Sequence, residues 1–202
     1  ALTLQTLAVD NDLTATAASI DAQQLTVGGN LNLTATTGGI TQSAAMNVAG
    51  SSTFTADAGQ SIALGQANTF TGAVTFVGDG GNLANVTVHD TTSLTLQTLN
   101  VSGNLTATGA DVTAQALIVG GNLALTATSG DIAQTAAMNV TGNSTFTAAT
   151  GQSIALGEAN TFTGSVAFVG SGGNLANVTV SDSNALTLQT LAVDNDLTAT
   201  AA

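Results

Sequence analysis

Residues 29–64 read GNLNLTATTGGITQSAAMNVAGSSTFTADAGQSIAL, and residues 121–156 read GNLALTATSGDIAQTAAMNVTGNSTFTAATGQSIAL. About 65 of 92 positions are identical when residues 1–92 are laid on residues 93–184 without a gap. Residues 185–202 repeat the first eighteen residues letter for letter. Because self-similarity at a fixed period is typical of repeat architectures, we interpret the chain as one continuous solenoid. It contains two complete repeats and the start of a third.

Apolar residues alternate with Thr, Asn or Gln throughout each copy, as at Leu31, Leu33 and Ala35. A spacing of two favours β-strands, whereas a helix would need apolar residues three and four apart. Three strand types recur in a fixed order: a Leu-Thr-Ala-Thr type, a short Ile type, and a type that ends in Val-x-Gly. Three strands and three corners in roughly 20 residues form one coil of a parallel β-solenoid. The sequence therefore predicts an all-β parallel β-helix with almost no helix.

The spacing of one recurring apolar position predicts about four coils per 92-residue repeat, with five tighter coils as the alternative. This position is followed through Val27, Val48, Phe76, Val101 and Val119. Surplus residues at 65–82 and 157–174 are interpreted as a wider corner or a protruding β-arm. A β-sandwich remains a second alternative, because the repeat is about the size of a small sandwich domain. In the solenoid, the predicted inward columns contain Leu33, Ile40, Val48, Phe54, Ile62 and Leu64.

The composition restricts the partners that the chain can have. It contains no Lys, Arg, Pro, Cys, Trp or Tyr, and its net charge is −12. Without cations it cannot neutralise phosphate groups, which argues against nucleic acid and anionic membrane surfaces as partners. No run of eighteen apolar residues is present, so we expect no membrane insertion. The regularly spaced hydrophobic residues, 44% of the chain, indicate a folded protein.

The titratable residues suggest no catalytic, cofactor or metal site. His89, the only histidine, aligns with Ser181 in the second copy, so we interpret it as a surface residue. The triplet at 10–12, Asp-Asn-Asp, resembles the start of a calcium loop, but the later acidic ligands are missing. Four further acids are each expected alone at a corner: Asp79, Asp90, Asp111 and Asp131. We therefore expect neither an enzyme nor a cofactor.

Thr-x-Thr pairs recur on one strand type, and their side chains are expected to point outward in two stacked files. A flat threonine ladder on a β-solenoid resembles the face of some ice-binding proteins, although threonine also suits a solvated strand and pairs well with threonine above it. The ladder is therefore a candidate surface for ice, polysaccharide or a neighbouring shaft. Its predicted members are Thr14, Thr16, Thr34, Thr36, Thr53, Thr55, Thr106, Thr108, Thr126, Thr128, Thr145 and Thr147.

The recurring GNLxLTAT, GGITQ, MNVAG, STFTA, GQSIAL and ALTLQTLNVSG segments resemble the repeats of filamentous-haemagglutinin-like bacterial exoproteins and giant adhesins. The resemblance covers the whole chain. It implies a right-handed parallel β-helix shaft, secreted by a two-partner or autotransporter-type route and located at the cell surface. It implies no catalytic residues. The expected partners are adjacent repeats of the same chain or identical chains stacked end to end, and other fibres or host and abiotic surfaces are further candidates.

Overall fold

The computed structural model describes residues 1–202, and every regular element in it is a β-strand. The structure contains no helix capable of crossing a membrane. Most strands are short because a Gly, Asn, Asp or Ser corner follows within a few residues. In chain order the strands are β1 Leu2–Leu4, β2 Leu7–Val9, β3 Leu13–Ala17, β4 Ile20–Ala22, β5 Leu25–Val27, β6 Leu31–Ala35, β7 Ile40–Gln42, β8 Asn47–Val48, β9 Ser52–Asp57, β10 Ile62–Phe70, β11 Val74–Asp79, β12 Val86–Asp90, β13 Leu94–Leu96, β14 Leu99–Val101, β15 Leu105–Gly109, β16 Val112–Ala114, β17 Leu117–Val119, β18 Leu123–Ala127, β19 Ile132–Gln134, β20 Met138–Val140, β21 Ser144–Ala149, β22 Ile154–Phe162, β23 Ser165–Ser171, β24 Val178–Asp182, β25 Thr187–Leu188 and β26 Leu197–Thr200.

Two long sheets run the length of the molecule, and every strand pairing within them is parallel. Face 1 stacks β1, β4, β7, β10, β12, β15, β18, β21, β23 and β25 in that order. Face 2 stacks β3, β6, β9, β11, β13, β16, β19, β22, β24 and β26. Each stacked strand belongs to the next coil of the chain. The predicted parallel β-solenoid is therefore confirmed, and the β-sandwich alternative is wrong because antiparallel hairpins are absent. The right-handed winding stays a prediction.

Equivalent strands of the two copies are offset by half a coil around the rod axis. Face 2 begins its ten strands at Leu13 and reaches Leu197, the equivalent residue two copies later, after nine coil-to-coil steps. Nine steps for two copies give four and a half coils per copy, midway between the predicted four and the alternative of five. Accordingly, β3 lies on face 2, whereas its counterpart β15 lies on face 1. Successive copies are thus turned by about half a revolution around the rod axis.

The third side of each coil joins the two faces at opposite edges in the two halves of the rod, which are the lower half (the coils up to β10) and the upper half (the coils from β14 onward). In the lower half, the chain passes from face 1 through the lower third side (β2, β5, β8 and the end of β10) to face 2. In the upper half, it passes from face 2 through the upper third side (β14, β17, β20 and the end of β22) to face 1. The surplus at 65–82 contributes a bulge between Leu64 and Asn68 in β10. It is a wider corner, and no protruding arm is present.

The core is a single cluster of 46 buried residues that extends from Ile20 to Val180. The six predicted inward residues, Leu33, Ile40, Val48, Phe54, Ile62 and Leu64, are all buried, which confirms the columns. Like side chains stack on like: in each copy three phenylalanines cluster, and the ring centroids of Phe54 and Phe76 are 5.7 Å apart in adjacent coils. Phe70 meets Phe54 edge-on at 5.8 Å. Burial of each ring contributes about 1.5–3 kcal/mol relative to exposure, and the ring contacts join neighbouring coils.

We expect Phe54→Ala to lower the free energy of unfolding by about 3–5 kcal/mol, because the cavity would remove two ring contacts at once. Thr53→Ala, which changes the adjacent outward side chain of the same strand, should cost less than about 1 kcal/mol. Urea denaturation followed by circular dichroism measures both. Equal losses for the two variants would contradict the inward and outward assignment of β9.

Candidate functional site: two outward threonine patches

The predicted threonines form two patches that lie 92 residues apart in sequence and on opposite sides of the rod. Strand register places each patch in two files along four coils of one face. The lower patch, on face 2, contains Thr14, Thr16, Asn32, Thr34, Thr53, Thr55, Thr75 and Val77. The upper patch, on face 1, contains Thr106, Thr108, Ala124, Thr126, Thr145, Thr147, Ala167 and Val169. All these side chains are exposed or half-buried.

Two predicted members lie outside the files. Thr36 and Thr128 each follow the last residue of a strand, and their hydroxyls donate to Ala17 O and Gly109 O of the coil below, at 3.3 Å and 3.1 Å. The sequence pattern grouped Thr36 with Thr34 and Thr128 with Thr126, whereas the outward positions of β6 are Asn32 and Thr34 and those of β18 are Ala124 and Thr126. The error arose because strands of this type begin at the leucine after Asn, so the first outward residue comes one position after that leucine.

The hydroxyls of the patches differ from those of the corners in their bonding. Corner hydroxyls, such as those of Thr37 and Ser129, are directed to backbone carbonyls of the neighbouring coil. Patch hydroxyls, such as those of Thr34 and Thr55, bond to no atom of the chain, so they remain available to water or to a partner. A threonine hydroxyl can both donate and accept. The patches are therefore polar surfaces with unused hydrogen-bonding capacity.

Charge distinguishes the two patches. Every outward side chain within the files is uncharged. At the end of β9 and β11, however, Asp57 and Asp79 are register neighbours beside the lower patch. The equivalent neighbours of the upper patch are Ala149 and Ser171. Like charges opposite each other in adjacent strands are unfavourable. The lower patch therefore has two acids within the strands themselves, whereas the acids nearest the upper patch, Asp111 and Asp131, lie in the corners that follow β15 and β18.

An asparagine ladder, which the sequence did not reveal as such, holds one corner of the coils. Asn104 Oδ1 accepts a hydrogen bond from Asn122 N at 2.8 Å, and Asn122 Oδ1 accepts one from Asn143 N at 2.9 Å. The same corner is lined with glycine because a Cβ atom at Gly142 would lie 2.5 Å from Gly121 O. The recurring Gly-Asn-Leu and Gly-Asn-Ser triplets were the signal. The asparagine side-chain oxygens of these triplets accept hydrogen bonds from backbone amides of the next coil, and these bonds link successive coils.

A buried polar cluster terminates the lower third side. Asp90, which was expected alone at a corner, ends β12, but it is only 1% exposed and bonds to neighbouring residues. Its Oδ1 accepts bonds from Phe70 N and Thr92 N, both at 3.1 Å, at the point where the lower third side ends. Asn68, which is also buried, accepts from Met46 N and donates to His89 O. Buried polar groups of this kind protect a strand edge that would otherwise lack partners.

The remaining candidates do not converge. No three His, Cys, Asp or Glu side chains lie close enough to hold a metal ion. His89 is half-buried on face 1 and is the register partner of Thr108. A shallow pocket lined by residues that include Phe76, Gly81 and Leu99 lies where the upper third side begins. No acid or histidine lines this pocket.

We expect Asp90→Ala to reduce the free energy of unfolding by about 1–3 kcal/mol, because the Phe70 amide would be buried without an acceptor. Asp90→Asn keeps the accepting oxygen and should cost less. Asp79→Ala, at an exposed acid, is the matched control and should change stability by less than about 0.5 kcal/mol. Urea denaturation combined with amide hydrogen exchange at Phe70 measures the effect. Undiminished protection of that amide in Asp90→Ala would contradict the capping role.

Comparison with known proteins gives one family. No curated protein and no solved structure matches the chain at a significant level. A family described as repeats of unknown function (DUF5649) matches residues 1–77, 83–129 and 113–169, which together cover most of the chain. The matched segments include both copies of the threonine patch. The chain belongs to this family of repeats of unknown function.

Proposed function

We propose that the chain is a non-catalytic segment of the shaft of a long extracellular bacterial fibre or adhesin. The observation that carries the proposal is that both long sheets continue across the junction between the copies. Across residue 93, β11 pairs with β13 and β12 pairs with β15, with the same parallel geometry as within a copy. Nothing in this register limits the number of copies, so further copies extend a rod by the same rule.

The mechanical case rests on continuity. One hydrophobic cluster spans both copies, so the rod has no domain boundary at which it could bend freely. The backbone makes 122 backbone–backbone hydrogen bonds, and those between coils run parallel to the rod axis. A load along the axis is therefore shared among many hydrogen bonds and stacked side chains. A rigid spacer needs this distribution of contacts and needs no active site.

The extracellular location rests on the resemblance to filamentous-haemagglutinin-like exoproteins. The strongly anionic surface, without a single Lys or Arg, favours solubility and keeps molecules apart outside their ordered contacts. The absence of cysteine is compatible with export. The proposed winding is right-handed, as in that family.

Electron microscopy of arrays with two, four and six copies tests the shaft. Each additional copy should lengthen a straight rod by about 22 Å, since four and a half coils at about 4.8 Å separate equivalent residues. Arrays whose copies are joined by a flexible Gly-Ser linker are the control and should appear as separate, freely jointed rods. Compact particles whose longest dimension does not grow with copy number would overturn the proposal.

Antibody labelling of intact cells of the producing organism tests the location. We expect label along filaments that project from the surface, with no need to permeabilise the cells. Label confined to permeabilised cells would contradict the extracellular role and would leave the rod architecture unaffected.

The alternative proposal is a binding module that uses the outward Thr and Asn files for ice or polysaccharide. The unbonded patch hydroxyls favour it. Each patch, however, spans only four coils, and His89 follows Thr108 in the file below the upper patch. Ice binding predicts thermal hysteresis from the isolated chain, and Thr34→Val combined with Thr126→Val would change its magnitude. A shaft alone predicts no hysteresis.

A further inference from the structure

We infer that the upper patch is a lateral contact surface for a second copy of this chain, and that the lower patch is prevented from acting in the same way by Asp57 and Asp79. The inference rests on the shaft proposal, because it describes how two such rods would lie side by side. Beyond the shaft role, it names a partner, a second copy of the chain, and the surface that the partner contacts, the upper patch.

The first argument is electrostatic. The chain carries a net charge of −12 with no Lys or Arg, so two molecules repel each other at most orientations. Most acidic residues lie at corners or strand ends, as Asp111 and Asp131 do between face 1 and face 2 of the upper half, and the outward acid of face 1, Asp21 in β4, lies in the lower half. Within β15, β18, β21 and β23 the files of the upper patch contain only Thr, Ala and Val, and the next residue of the file in β12 is the uncharged Thr87 or His89. The positions beside the files at the ends of β21 and β23 are Ala149 and Ser171. The upper patch is therefore an uncharged surface, on which a second anionic chain meets little repulsion.

The second argument is the match of geometry and chemistry. The files repeat at the strand spacing of about 4.8 Å, so two identical patches packed face to face share one period. A two-fold axis makes such a contact self-complementary. The free hydroxyls of Thr126 and Thr147 can donate to and accept from their counterparts, and Val169, which is 42% exposed, adds apolar area.

The third argument concerns size. Four coils by about six residues cover roughly 20 Å by 20 Å, so a pair of patches buries on the order of 800 Å² in total. That area is small for a stable interface and fits a weak, reversible contact. We therefore expect dimers of the 202-residue chain only at high concentration, and the contact becomes stronger when several patches act together.

Equivalent positions in the two copies allow the same substitutions to be made in the upper and the lower patch. Thr126→Asp with Thr147→Asp places two charges in the upper patch, and Thr34→Asp with Thr55→Asp places the same charges at the equivalent lower positions. Asp57→Ala with Asp79→Ser gives the lower patch the neighbours of the upper one. These three double variants change only outward side chains, and circular dichroism checks that each retains the native spectrum.

Sedimentation equilibrium of the full chain, from about 10 µM to about 1 mM in roughly 0.5 M salt to screen the net charge, is the test. The wild type should show monomers and dimers. The upper double variant should weaken dimerisation by about tenfold or more, while the lower double variant should stay within about twofold of the wild type. Asp57→Ala with Asp79→Ser should yield species larger than dimers, because both sides of the rod would then associate.

A wild-type chain that remains monomeric at about 1 mM in the screening buffer would overturn the inference. Equal weakening by the upper and lower double variants would also overturn it, since the contact would then not depend on the upper patch. Microscopy of the same samples separates this failure from a failure of the shaft. Single straight rods contradict only the lateral contact, whereas compact particles contradict the shaft.

Discussion

Hydrogen bonding along the rod axis, from each coil to the next in parallel register, is the interaction on which the rest of the structure depends. The pairing is in register, so Leu31 lies over Leu13 and Phe76 lies over Phe54. Inward positions must therefore suit the same column in every coil, and apolar residues stack in columns. Corners must be narrow enough for the next coil to follow closely, which explains glycine at sites such as Gly142 and an asparagine amide bridging to the next coil.

The half-coil offset decides how the surface is used. Because a copy contains four and a half coils, equivalent strands alternate between face 1 and face 2. The two long sheets continue through the junction, while the third side ends on one edge and begins on the other. Asp90 accepts a hydrogen bond from Phe70 N at the end of the last strand of the lower third side, and Asn68 within that strand accepts one from Met46 N. An outward feature encoded once per copy consequently appears on opposite sides of the rod, and a small sequence difference beside it, such as Asp57 against Ala149, can make the two sides behave differently.

Much of the fold could be predicted because the period-two pattern and the recurrence of whole strands act together. Leu33, Ile40 and Phe54 were identifiable as core from alternation alone, and all three are buried. The register within the threonine files was harder to predict from the sequence. Thr36 looks like the partner of Thr34, yet it lies past the strand end and bonds to the coil below.

Other features were hidden because they depend on where coils meet. Asp90 has the local sequence of a surface turn, and its burial follows only from the change of the third side. The number of coils per copy depended on whether the residues after Leu64 form a bulge within the stacked strands or a loop that protrudes from them. The family match supports the repeat pattern, but because the function of these repeats is unknown, the match identifies no chemical activity.

A distance measurement between spin labels at Thr34→Cys and Thr126→Cys tests the half-turn between copies most directly. The chain contains no cysteine, so labelling is confined to these two sites. Opposite faces and an axial offset of about 22 Å predict a separation of roughly 30 Å or more. A whole number of coils per copy would place both labels on one face, about 19 or 24 Å apart along the axis, and that shorter distance would contradict the account.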